Sequence, residues 1–163
     1  DALLQSIELA VAVEELGADG AYFRVHHFAR QLGSPFPLLA AVGARTKRIE
    51  MGTAVVDMRY ENPFYMAEDA GAADLIAGGR LQLGISRGSP EQVIDGFRYF
   101  GYAPAEGKTD ADMAREHALP VRSSSDEIRS ASSTAAPRAS GSCSSRRKTK
   151  GTTSAAPTRG WAP

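Results

Sequence analysis

A chain of 163 residues with 19 Lys and Arg against 19 Asp and Glu carries no overall charge to steer it onto nucleic acid or an anionic membrane. One Cys and three His leave no disulfide framework, CxxC pair or thiolate metal site, and no apolar run approaches the roughly 20 residues of a membrane span. The start Asp1-Ala-Leu-Leu is not a signal peptide, so a reducing, cytoplasmic setting is expected, although the absence of an initial Met leaves the natural start open.

The zero charge is two unlike halves cancelling. Residues 1–120 hold 11 Lys and Arg against 17 Asp and Glu, whereas residues 121–163 hold 8 against 2. The expected division is a foldable unit over 1–118 and a low-complexity, basic, Ser/Ala/Arg-rich tail over 119–163. Beyond Val121 and Ile128 the last 43 residues have almost no large aliphatic side chain to offset their ordering entropy, so disorder is expected there. The cluster Arg146-Arg-Lys-Thr-Lys150 could touch nucleic acid or serve as a targeting signal, but a solvated tail is the plainer reading, without aromatic residues to stack on bases. Periodicity ends abruptly near Ala118, as a shifted reading frame would produce.

In chain order, Leu3, Leu4, Ile7, Ala10 and Val11 recur at helical spacing over residues 2–16, and Gly17 follows as a stop. Gly20 to Val25 reads as a strand, placing Tyr22, Arg24 and His26 on one face and Phe23, Val25 and His27 on the other. Ser34 and Pro35 open a second helix that stops near Arg45 to Lys47. Ile49 to Val56 reads as a second strand, with Gly52 marking a bend or the close approach of another backbone or a ligand.

Asn62-Pro63 caps a third helix to about Ala77, whose Ala67, Ala70, Gly71, Ala72 and Ala73 suit a close partner helix. Gly78 and Gly79 end it, and Leu81, Leu83 and Ile85 alternate through a third strand that delivers Ser86, Arg87 and Gly88 to its carboxyl end. Ser89, Pro90 and Gln92 form a capping signal for a helix from Pro90 to about Phe100, and a short helix is expected from Asp110 to His117. Strands starting near 20, 49 and 80 repeat every 30 residues or so, the interval of parallel βαβ units. This is an α/β pattern supplying the N-terminal units of a (β/α)8 TIM barrel, less than half of its usual length of about 250 residues.

Five collinear pieces, Val25-His-His-Phe28, Gly52-Thr-Ala-Val55, Asn62-Pro63 with Ala67-Glu-Asp69, Gly79-Arg80 and Gly84-Ile-Ser-Arg-Gly88, resemble the bacterial luciferase-like flavin-dependent monooxygenase family over roughly residues 1–102. The resemblance implies a partial, truncated and impaired barrel enzyme using reduced FMN and dioxygen on a small organic substrate. A flavin reductase would supply the reduced flavin and a second copy would complete a homodimer. The sister possibilities are the deazaflavin F420 without dioxygen chemistry, or a non-catalytic flavin-binding or dimerising fragment.

By this resemblance His26 matches the active-site histidine at the reactive edge of the flavin, with Val25 where the family often has an acid. Ala54 and Val55 match a segment under the flavin ring that is sometimes a non-proline cis peptide, and Ser86 matches a pocket position often held by cysteine. Arg87 and Gly88 match the phosphate end, where a guanidinium grips phosphate oxygens and glycine lets backbone approach. No metal ligand set is expected, since His26 and His27 lack the i, i+4 spacing of a helical zinc pair.

Overall fold

The computed structural model describes residues 1–30, 32–88 and 92–134, with side chains placed up to residue 123. Helix α1 (Ala2–Glu15) is capped by the Asp1 carboxylate, which accepts from Leu3 N, and leads through Gly17 into strand β1 (Gly20–Phe23). Helix α2 (Phe36–Arg45) begins at the Pro35 ring rather than on a Ser34 cap, and strand β2 (Glu50–Thr53) follows. Strand β3 (Val56–Asp57) precedes helix α3 (Pro63–Ala77), whose cap Asn62 accepts from Phe64 N and Tyr65 N and whose end is Gly78 at φ 67°. Strands β4 (Leu81–Gln82) and β5 (Ile85–Ser86) come next, then a 3-10 helix (Gly96–Phe100) and helix α4 (Asp110–Thr134).

All strand pairs are parallel. The main sheet has the order β1-β2-β4, with Tyr22 opposite Gly52 and Gly52 opposite Gln82, and a second ladder joins β3 to β5. The two continuous strands expected over 49–56 and 81–86 are therefore each split, at Ala54–Val55 and at Leu83–Gly84. The backbones run close beside these breaks: a Cβ at Gly52 would meet Gln82 O at 2.2 Å and one at Gly84 would meet Thr53 O at 2.2 Å. Gly52 thus marks the approach of a neighbouring strand.

Leu39, Val42, Ile49, Met51, Val56, Met58 and Met66 form the buried centre between sheet and helices. The small residues of α3 are used within the chain. Ala70, Ala73 and Ala77 are buried, and α2 comes so near that a Cβ on Gly43 would sit 2.8 Å from that of Ala77. A close partner helix of α3 is thus α2, while Ala72 stays exposed.

Arg80 fastens the amino-terminal side of this layer. Its guanidinium donates to the carbonyls of Ala77, Gly43, Thr46 and Ile49 and to Thr46 Oγ1, at 2.6 to 3.0 Å, tying the ends of α2 and α3 to the start of β2. Four of these acceptors are orphan carbonyls of helix ends and loops that would otherwise lack partners.

Two expected helices differ. The one expected over 90–100 is a 3-10 helix limited to Gly96–Phe100, entered through Asp95 at φ 50°, and the Ser89-Pro90 capping signal lies outside the described residues. The one expected to close at His117 runs to Thr134, past the boundary expected at 118 and through Pro120. Val121 explains part of this: it is buried with Ala114 in the main core, so the helix face stays apolar one turn beyond Ala118. Thr109 and Asp112 cap its start reciprocally, Thr109 N donating to Asp112 Oδ2 and Asp112 N to Thr109 Oγ1. The disorder expected for the tail falls, from residue 135 onward, outside the described residues. Among the described residues no helix is long and apolar enough to cross a membrane.

Candidate functional site

The carboxyl ends of parallel strands gather loops from successive βα units, and there the sequence-predicted residues stand. Ala54 N donates to Phe23 O at 2.8 Å, Val56 N to Gly84 O at 2.8 Å and Met58 N to Ser86 O at 3.1 Å. These bonds set the residues after β1, the Ala54–Val55 link and the Ser86–Gly88 turn side by side along one rim. The Ala54–Val55 peptide is cis.

Ala54 and Val55 are exposed, while Met51 to Thr53 before them and Val56 to Met58 after them are buried. This leaves a short exposed apolar ledge at the rim, with two small or medium side chains. Ser86, half-buried, donates from Oγ to Val56 O at 3.3 Å. Arg87 is exposed, and the described residues give it no ion-pair partner. The next element after Arg87 among the described residues is the 3-10 helix Gly96–Phe100.

His26 donates its backbone N–H to Leu32 O at 2.9 Å, and its ring Nε2 lies 2.6 Å from Arg24 Nε. Val25, next to it, is buried in the core. The strand expected to reach Val25 ends at Phe23, and His27, in the turn that follows, points elsewhere: its ring stacks on Tyr60 at 4.3 Å and meets Phe100 edge-on at 5.2 Å. Its Nε2 comes 3.4 Å from Glu61 Oε1, but not in hydrogen-bonding geometry, and that buried nitrogen has no hydrogen-bond partner among the described residues. The rim brings the ledge next to the end of β1 and Ser86 next to β3. No hydrogen bond or ion pair among the described residues joins His26 to Arg87.

Sequence reasoning missed Arg59 and Tyr60. Arg59, mostly buried, donates to both Asp57 oxygens and, at 2.7 Å, to Asp110 Oδ2, linking β3 to the start of α4. Gly88, at φ 131°, lies against that guanidinium, where a Cβ would come within 2.6 Å of Cζ, so the turn after Arg87 rests on Arg59. Tyr60 is 4% exposed at the centre of an aromatic group with His27, Phe28, Phe97 and Phe100. The signal available was Asp57-x-Arg59, two residues apart with opposite charge at a strand end, and it had no periodicity to draw notice. Among the described residues no group of His, Cys, Asp and Glu could hold a metal ion.

A layer of parallel strands backed by helices, with its polar and exposed residues at the carboxyl rim, is part of a (β/α)8 barrel of the kind that binds a ligand at that end. The chain belongs to the luciferase-like monooxygenase family, whose pattern matches residues 2–126. It is 33% identical over 106 residues to the 4-hydroxyprotoasukamycin monooxygenase of Streptomyces nodosus subsp. asukaensis, covering 64% of this chain and 28% of that protein. The oxygenating constituent of 3,6-diketocamphane monooxygenase from the CAM plasmid of Pseudomonas putida, a type II Baeyer-Villiger monooxygenase solved with FMN, superimposes with a TM-score of 0.61 at 26% identity. That match covers 73% of this chain and 33% of that one. The coenzyme F420 dependent tetrahydromethanopterin reductase of Methanopyrus kandleri shares the fold, with a TM-score of 0.52 at 21% identity over 63% of this chain and 28% of that one. The chain spans about a third of the length of these proteins.

Proposed function

We propose that this chain is the flavin-binding N-terminal portion of a flavin-dependent monooxygenase acting with reduced FMN and dioxygen on a small organic substrate. The observation that carries the reading is the exposed Ala54–Val55 ledge between buried stretches, flanked on the same rim by Ser86 and the exposed Arg87. In this reading the ledge underlies the ring, Ser86 offers a polar contact, Arg87 and Gly88 take the phosphate, and His26 stands at the reactive edge. Bound there, reduced FMN would supply the electrons that activate dioxygen. The protein's own part is to bind, orient and exclude water. By these residues alone, which match about a third of a relative's length, flavin binding is weak and catalysis impaired. A separate flavin reductase supplies reduced FMN, and the exposed Phe64, Tyr65, Leu75 and Ile76 of α3 meet a second copy in a homodimer.

A fluorescence-quenching titration of the full chain with FMN and with riboflavin, which lacks the phosphate, tests this. The expected result is binding near 10⁻⁴ M, about 5.5 kcal/mol, with FMN preferred. Arg87→Gln should erase the preference, a change of about tenfold. Equal affinity for both flavins in the unaltered chain, or preference for F420 over FMN, would overturn the reading.

A further inference from the structure

Just past the carboxyl end of β1, Arg24 and His26 stand two residues apart and their side chains meet. Arg24 Nε donates to His26 Nε2 at 2.6 Å, a short contact for an N–H and a ring nitrogen. A guanidinium has donors and no acceptor, so Nε2 must be the lone-pair side of the ring. A second proton on Nε2 would set two N–H groups head to head. The contact is therefore made by the neutral ring with its proton on Nδ1, the less usual form of a histidine in water.

Among the described residues no other hydrogen bond to the His26 ring is present. Val25, the chain neighbour of His26, is turned into the core, and His27 packs with Tyr60 and Phe100. Arg24 itself is exposed, as is Tyr22 in β1, whose hydroxyl donates to Glu50 Oε2 at 3.3 Å.

We propose that Arg24 is a positioning residue: its guanidinium fixes the orientation and tautomer of His26, so that His26 presents Nδ1–H as a hydrogen-bond donor and its Nε2 is not available as a base. That the donor serves a flavin site rests on the function proposed above; the tautomer does not. It follows that His26 works by donating a hydrogen bond, and that a proton acceptor for the reaction must come from another group or from substrate.

The test uses the full chain labelled with 15N-histidine, whose three histidines give three ring spin systems, at about pH 8, above the ordinary imidazole range. Long-range proton–nitrogen spectra should show His26 protonated at Nδ1 in the unaltered chain and at Nε2 in Arg24→Leu. Arg24→Lys should restore the Nδ1–H pattern, since an ammonium also donates. The His27 and His117 signals report that each variant is folded. Finding His26 as Nε2–H in the unaltered chain overturns the assignment, as does a pattern that Arg24→Leu leaves unmoved. A flat FMN titration beside the expected tautomer series upholds the Arg24 assignment and sinks only the flavin reading.

Discussion

At the scale of single residues, Arg80 and Glu14 show charged groups spent on backbone. Arg80 satisfies carbonyls at the ends of two helices, and a lysine there could reach only some of them from one ammonium. Arg80→Lys should lower stability by about 2–3 kcal/mol, read as a shifted urea midpoint with an unchanged slope. The Glu14 carboxylate accepts from Ile49 N, Arg48 N and Lys47 N, and these bonds, that to Ile49 foremost, hold its carboxyl below the ordinary 4.5. A value depressed by folding makes the contribution complete above about 4.5 and lost as pH falls through the lower folded value. Between about pH 5 and pH 3 the unaltered chain should therefore lose more stability than Glu14→Gln does, measured by urea melts at each pH. Parallel slopes for the two would count against this role for Glu14.

At the scale of elements, α1, α3 and the cap and stop of α3 were legible because periodicity, Asn62-Pro63 and Gly78 act within a few residues. The splits in β2–β3 and β4–β5 were not, since the pairing that defines them is with strands about 30 residues away. Nor was the length of α4: its Ser-rich sequence and Pro120 argue for a stop, and what carries it on is Val121 packed into a core made by other elements. Of the candidate site, residues 26, 54–55 and 86–88 were proposed from a family pattern in the sequence, whereas the place of Arg59 depends on a contact with Asp110, 51 positions on. Val121→Ala should cost about 2 kcal/mol and lower helical signal from the end of α4 first. Gly43→Ala tests the α2–α3 contact: the new methyl meets Ala77 at 2.8 Å, and a loss of about 1–3 kcal/mol is expected from thermal melts.

At the scale of the whole molecule, β1 and β4 are the outer strands of the main sheet among the described residues, and each offers an edge to further pairing. Together with the exposed side chains of α3 this makes self-association the expected behaviour in solution. Sedimentation should show species larger than a monomer, and Phe64→Glu with Leu75→Glu should shift them toward monomer if that face is the interface. Unchanged sedimentation would point to the sheet edges instead.

Where the strands part below the rim, the Thr53 hydroxyl donates to Gly84 O at 2.8 Å and accepts from Gly84 N at 2.9 Å. One oxygen atom thereby adds a side-chain splice where the two ladders meet, directly beneath the Ala54–Val55 ledge. Thr53→Val keeps the shape and cuts the splice, and amide exchange at Gly84 and Ile85 would then quicken while that at Met51 stays slow.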